Sequence, residues 1–322
     1  MRVVSLFDGI SGAMLALDNI GLTVDKYFAS EIDEKSVSIS KKNWGNRITH
    51  IGDVCSVHPS DLGDVDLLIG GSPCTNLSIA GDGSGLEGKD SSLFFEYVRI
   101  LQACNPKYFL LENVNSMRND DRAAMSAYLG SIRCGRMIMI DSSCLTAQCR
   151  KRLYWTNIPF RGIPTNIGIQ IKDVLEQDVD SSLFLNTSQT ITPTKNYLLK
   201  QWNNLDRMVK IFDIGSGRQG ERIYSIYGKS VNLTSSGGGP GGKTGMYMVD
   251  GYNGPHDKDS VMPNCRRLTP VEAERLQGIR DNYTSFYEDG RKMAASHRYK
   301  MLGNGFTIPV VMRLLSPLRE LV

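Results

Sequence analysis

The chain has 322 residues, 41% hydrophobic and 22% charged, the balance of a globular protein with room for one large unit and a smaller one. A formal charge of +3 permits nucleic-acid binding through a local patch but is far from a polybasic chain. No apolar run approaches the roughly 20 residues that span a bilayer, and seven cysteines without a CxxC pair beside four histidines make neither a disulfide framework nor a zinc site; the expectation is a reduced, cytoplasmic, metal-free protein.

Residues 2–7 form a short β-type run that ends at Asp8-Gly9-Ile10-Ser11-Gly12. Met14, Leu15, Leu17 and Ile20 then repeat with helical spacing, and Gly21 supplies the stop. Strand, glycine turn and helix open a doubly wound nucleotide-binding fold, in which the helix N-terminus offers unpaired N–H groups to an anionic part of a ligand. The spacing is neither a dinucleotide GxGxxG nor a P-loop, and a tight structural turn is the competing reading. A second predicted strand, 27–30, ends at Glu31, placed to accept hydrogen bonds from ribose hydroxyls; a solvated strand-end carboxylate is the alternative. A third, 51–54, places Asp53 to accept a proton from an adenine amino group. Three such ends suit an adenosine-bearing cofactor without a pyrophosphate.

After Asp66, residues 67–69 are a continuous apolar run, the pattern of a strand buried on both faces, broken by Gly70, Gly71 and Pro73. Cys74 therefore stands just past the carboxyl end of a strand, where open α/β sheets bind ligands. A lone cysteine is ordinarily a small buried hydrophobe; on this turn it projects from the sheet and reads as a reactive thiol. Residues 80–89 form a glycine-rich polar loop, either a closing lid or a surface linker. A helix from Leu93 to Leu101 precedes another buried strand, 108–111, which ends at Glu112-Asn113-Val114 beside the one carrying Cys74. Residues 148–155 alternate basic with other residues. On a strand, the period of two puts Gln148, Arg150 and Arg152 on one face, suited to a phosphate or a base carbonyl; a plain surface strand is the other reading.

From about Pro164 to Cys265 apolar periodicity weakens and Thr, Ser, Asn and Gly dominate, culminating in the glycine-rich stretch 235–243. The expectation is a small, irregular second domain with short strands, its core drawn from Trp202, Phe212, Tyr224, Tyr227 and Tyr247; a disordered insert is the alternative. Helical patterning resumes at 268–276, with Thr269 as N-cap and Pro270 at the first helical position. Gly303-Asn304-Gly305-Phe306 then leads into an apolar helix from Ile308 to Leu315.

Taken together, these stretches resemble the cytosine-5 DNA methyltransferase family, in the family's order and over nearly the whole chain outside the variable segment. Phe7-Asp8-Gly9-Ile10-Ser11-Gly12 is similar to the cofactor loop, Ser72-Pro73-Cys74 to the Pro-Cys nucleophile motif, Glu112-Asn113-Val114 to the catalytic Glu-Asn-Val, and Gln148, Arg150 and Arg152 to Gln-x-Arg-x-Arg. Arg267-Leu268-Thr269-Pro270 with Glu272, Arg275, Gln277 and Gly278 resembles the motif after the recognition region, and Gly303-Asn304-Gly305 stands where the family usually has Gly-Asn-Ser. Residues 70–78 and 93–96 also resemble the animal de novo branch. The resemblance implies a Rossmann-like α/β methyltransferase fold, a mostly parallel sheet with helices on both faces. It implies a catalytic and cofactor-binding domain at 1–163, a small irregular target-recognition domain at 164–265, and a return to the first domain at 266–322.

It also implies the chemistry. Carbon 5 of cytosine is a poor nucleophile until a thiolate adds to carbon 6; Cys74 is the candidate on a strand-end turn. Glu112 would deliver a proton to ring nitrogen 3, with Arg152 and Arg150 on the base carbonyl and a neighbouring phosphate. The methyl donor would be S-adenosylmethionine, with Phe7, Asp8, Gly9, Ile10 and Gly12 forming its loop and Glu31 on the ribose. Asp53 would take the adenine amino group, Phe7, Ile32 and Val54 would pack on the adenosine, Leu93 would belong to the same cofactor site, and Asn304 and Gly305 would complete the pocket. Ser72, Pro73, Asn113, Gln148, Asn232 and Lys243 fall to the DNA side. The base must flip out of the stack to be reached. The expected partner is double-stranded DNA, bound by a monomer of bacterial or phage origin serving restriction–modification or self-protection. A transfer-RNA substrate lacks its Cys-Phe-Thr signature here, and a non-catalytic DNA-binding relative would not need Cys74, Glu112, Arg150 and Arg152 intact.

Overall fold

The apolar runs become strands whose alternate residues feed two separate cores. In the computed structural model, which describes residues 1–73, 92–186, 190–201, 203–249 and 264–321, a seven-stranded sheet comprises β1 (Arg2–Leu6), β2 (Lys26–Ser30), β3 (Thr49–His50), β4 (Leu67–Gly70), β5 (Tyr108–Val114), β6 (Arg136–Asp141) and β7 (Lys151–Thr156). Their order is β3-β2-β1-β4-β5-β7-β6, parallel except for β7, which runs antiparallel to both neighbours. Val3, Leu67, Ile69 and Leu110 face one core with Met14, Leu17 and Ile39. Val4, Leu68, Phe109 and Leu111 face the other with Phe94, Tyr97 and Leu129. Burial on both faces is why these strands read as unbroken hydrophobic runs rather than alternating ones.

Helices α1 (Gly12–Asn19), α2 (Glu34–Trp44), α3 (Ser92–Cys104) and α4 (Asn119–Arg133) connect the strands. The chain returns to the first core through α6 (Pro270–Leu276), α7 (Ala295–Asn304) and α8 (Ile308–Leu315), after an intervening region that includes the short α5 (Lys195–Leu198). Thr269 caps α6 in a reciprocal box with Glu272, as its Thr-Pro-x-Glu spacing leads one to expect. Buried Ile308, Val311 and Leu315 seat α8 in the same core as α1.

The second region is more ordered than its composition suggests. Five strands, β8 (Ile191–Pro193), β9 (Lys210–Ile214), β10 (Arg222–Ser225), β11 (Met246–Met248) and β12 (Cys265–Arg267), make a sheet ordered β12-β11-β10-β9-β8. Ile211, Phe212, Ile223 and Met246 form its own small core, whereas Tyr224 and Tyr247 pack into the core of the large sheet. The last strand straddles the expected boundary at 265. Trp202 lies outside the described residues, as do Cys74 and the 80–89 loop.

Two strand expectations need correction. The third strand is Thr49–His50, and Asp53 instead caps a 3-10 turn at Val54–Ser56. Gly52, with φ at +71°, takes the chain out of the sheet before Asp53. Similarly, β7 begins only at Lys151, and Gln148 makes an isolated bridge to Ser230, because residues 147–150 turn away to meet the second region.

Candidate active site

The strand order changes direction at β1, whose neighbours are β2 and β4. The crevice beyond the carboxyl ends of such strands is where open sheets bind ligands. The loop leaving β1 is tightly wound, with Phe7, Gly9 and Ser11 all at φ between 57° and 62°. A Cβ on Gly9 would meet nothing within 4 Å, so glycine there serves the backbone conformation and leaves the space above it open.

Asp8 holds the loop from beneath. Its carboxylate accepts hydrogen bonds from Ser11 Oγ at 2.5 Å and Tyr27 Oη at 2.6 Å, and burial pushes its pKa up to about 6. Asp8 therefore supports the loop rather than facing a ligand, a correction to its expected place on the cofactor. Ile10 is braced likewise: its carbonyl accepts from Tyr283 Oη, which in turn accepts from Trp44 Nε1, each at 2.8 Å. Sequence reading missed both aromatics, since residues 44 and 283 share no motif.

Glu31 lies across the crevice. Its Oε2 accepts from Gly9 N, and its Oε1 from the N–H groups of Ile32 and Asp33, all at 2.8 Å. The carboxylate is thereby fixed at the mouth with acceptor capacity left over. Ile32 is 74% exposed at the rim. Phe7 and Leu93 are half-buried on the cluster that contains Val54. Asp53 caps its own turn through Cys55 N at 3.0 Å and is exposed. Asn304 is exposed at the end of α7, and Gly305 follows it. An open left-handed loop, a fixed carboxylate, the exposed Ile32 and the half-buried Phe7 and Leu93 fit an adenosine moiety.

The strand-end turn after β4 is shaped by lack of space. A Cβ on Gly70 would lie 2.9 Å from the Leu6 carbonyl oxygen; one on Gly71 would lie 3.1 Å from Glu112 Oε2 and 3.2 Å from the Phe306 ring. Phe306 also lies within 3.6 Å of the place where a Cβ on Gly12 would be, so its ring lies against both the start of α1 and the Gly71 turn. It, too, was missed, although it directly follows Gly303-Asn304-Gly305. Asn113 is buried and donates to Ser72 Oγ at 3.1 Å and Ser72 O at 3.3 Å. Asn113 and Ser72 thus fix the turn through Pro73, and this holding role replaces the DNA contact expected of them. Cys74, next along the chain, lies outside the described residues.

Glu112, near the end of β5, pairs with Arg152 on β7, its Oε1 2.9 Å from Arg152 Nε. Both side chains are mostly buried, at 13% and 12% exposure, and strand pairing sets them close: Glu112 is opposite Tyr154, and Val114 opposite Arg152. The other carboxylate oxygen faces the Gly71 turn.

Arg150 and Gln148 are not on that face, and their expected contacts with base or phosphate are corrected. Arg150 is buried: Nη1 donates to Asn232 Oδ1 at 2.9 Å and Leu233 O at 3.3 Å, and Nη2 to the carbonyls of Gly303 and Gly305, both at 3.0 Å. Gln148 accepts from Leu233 N at 2.9 Å and donates to Leu276 O and Gln277 Oε1 at 3.3 Å. A donor-only guanidinium in the interior must find acceptors, and here two segments, 232–233 and 303–305, supply them. Asn232 is consequently an internal acceptor. Lys243, half-exposed in the glycine-rich stretch, reaches Ser296 O at 3.4 Å.

Residues 1–133 and 141–320 match the sequence profile of the C-5 cytosine-specific DNA methylases. A type II methyltransferase of Haemophilus parahaemolyticus, M.HhaI, is 28% identical over 97% of this chain and 92% of its own. The orphan methyltransferase M.Rho11sI of Bacillus phage rho11s is 28% identical over 78% of this chain and 61% of its own. Among solved structures, the Entamoeba histolytica methyltransferase EhMeth superposes with a TM-score of 0.73 at 18% identity, covering 99% of this chain and 98% of that one.

Proposed function

The chain belongs to the C-5 cytosine-specific DNA methylase family, and from that premise we propose that it transfers a methyl group from S-adenosylmethionine to carbon 5 of a cytosine flipped out of duplex DNA. The observation that carries this reading is the Glu112–Arg152 pair, set beside the Gly71 turn, where a Cβ would crowd Glu112 and the Phe306 ring, and one strand away from the Ser72-Pro73-Cys74 motif.

Cys74 would add as thiolate to carbon 6. Glu112 would pass a proton to ring nitrogen 3 through the oxygen that Arg152 Nε does not hold, while Arg152 keeps the carboxylate oriented and places positive charge near the base carbonyl. The enamine so formed takes the methyl group at carbon 5; loss of the carbon 5 proton and expulsion of the thiolate then restore the ring. S-adenosylmethionine supplies the electrophilic methyl when bound. Glu31 would accept from its ribose hydroxyls, Ile32, Phe7, Leu93 and Val54 would pack on the adenosine, and Asn304 and Gly305 would close the pocket. Asp53 would take the adenine amino group by its exposed carboxylate. The bacterial and phage relatives support a role in restriction–modification or phage self-protection. The five-stranded region would read the target, with Lys243 on a phosphate.

The test is methyl transfer to duplex DNA of mixed sequence, followed by mapping of the modified cytosines. Wild type should label carbon 5 and be trapped covalently by 5-fluorocytosine, and Cys74→Ala should do neither while still binding cofactor. Turnover by Cys74→Ala would overturn the mechanism.

A further inference from the structure

The buried polar cluster around Arg150 joins two parts of the molecule with different proposed tasks. One guanidinium holds Asn232 and Leu233 of the second region and, through its other nitrogen, the carbonyls on either side of Asn304. The same two segments are tied a second time. Gln148 holds Leu233 N and Gln277 Oε1; Gln277 donates to Leu302 O at 2.6 Å and accepts from Thr307 Oγ1 at 2.7 Å. A third tie is steric: a Cβ on Gly303 would lie 2.5 Å from Ser235 N and Thr234 C, so the backbones of α7 and the second region touch directly.

We propose that Arg150 is a positioning residue that couples the Asn304–Gly305 side of the proposed cofactor pocket to the second region, which would read the target, through its internal segment at Asn232–Leu233, so that occupancy of one site favours binding at the other. The proposal rests on the functional reading above. Its physical basis is the sharing of one rigid donor fork. Arg150 cannot satisfy four acceptors unless both segments take up their places together, and a ligand that orders one segment therefore lowers the cost of ordering the other. Such coupling is reciprocal by linkage: DNA must tighten cofactor binding by the same factor as cofactor tightens DNA binding.

The probes are S-adenosylhomocysteine, titrated calorimetrically, and a long mixed-sequence DNA duplex. In wild type the duplex should tighten S-adenosylhomocysteine by about five-fold or more. In Asn232→Ala, which removes one acceptor on the recognition side alone, that factor should fall towards one while affinity without DNA stays as in wild type. Arg150→Lys should lose the factor as well, since one ammonium cannot span both segments; thermal melting confirms that each variant is folded. A contact from Asn232 straight to DNA would weaken DNA binding equally with and without cofactor and leave the factor intact, which would overturn the proposal. So would a wild-type factor of one. A wild type that binds neither probe would overturn the functional reading instead.

Discussion

The two sheets are held together in different ways, and the contrast explains which parts of the chain announce themselves. The central strands β1, β4 and β5 of the large sheet are buried on both faces and show in the sequence as hydrophobic runs. Strands of the second sheet have three to five residues. Their arrangement depends on glycines that let backbones touch and on buried polar groups that reach across the chain. Gly220 abuts Gly238, Gly237 abuts Gly242, and Gly241 N donates to Gly220 O at 2.9 Å. At the junction, Arg266 on β12 and Glu272 on α6 form an ion pair at 2.7 Å with 3% and 0% exposure, and Glu272 also accepts from the Glu176 and Thr269 N–H groups.

The largest expected effect breaks the chemistry of the first region and leaves both sheets intact. Glu112→Gln should lower the single-turnover methyl-transfer rate by about 10²–10⁴-fold, the usual worth of a positioned proton donor, with cofactor affinity by calorimetry unchanged. An unaltered rate would remove Glu112 from the mechanism.

Next comes the junction. Glu272→Ala strands a buried guanidinium and should destabilise the protein by about 3–5 kcal/mol, read as a lowered urea midpoint. A loss below about 1 kcal/mol, the scale of an exposed pair, would mean that the two regions do not depend on this contact.

The loop beneath the cofactor crevice gives a pH signature confined to the first region. Burial raises the Asp8 pKa from 3.8 to about 6, so between those values the native state holds the proton more readily than the unfolded chain does. The stability tied to Asp8 is therefore fully present below pH 3.8 and is lost as pH rises to about 6, by about 3 kcal/mol at most. Asp8→Asn should lack this part of the profile in urea titrations across the window; identical profiles would refute it.

The smallest effects sharpen the claim that close backbone approach builds the second region. Gly237→Ala drives a Cβ into the Gly242 carbonyl and should cost about 1–3 kcal/mol. Gly238→Ala, one residue on, meets open space at an ordinary φ and should stay within about 0.5 kcal/mol of wild type by thermal melting. Equal effects at the two positions would contradict the packing.

Much of the first region and of its site was legible in residues alone. Strand ends betrayed Glu31, Glu112 and the Pro-Cys turn, because a hydrophobic run that stops at glycine, proline or a carboxylate marks its own edge. Alternation at 148–152 misled, since the period of two assigns faces only while the chain remains a strand, and it becomes one only at Lys151. Phe306, Trp44 and Tyr283 gave no local signal: their contacts lie on elements far away in sequence.

By itself, then, the sequence determined the α/β class, the strands β1, β2, β4 and β5, the cap of α6 and the carboxylates Glu31 and Glu112 at strand ends, because burial periodicity and capping act over a few residues. Only the tertiary structure decided that Asp8 supports the loop, that Arg150 binds two segments together and that Arg152 alone of the two arginines meets Glu112. A buried charge takes whatever partner folding brings within about 3 Å, and that partner comes from residues up to 155 positions away.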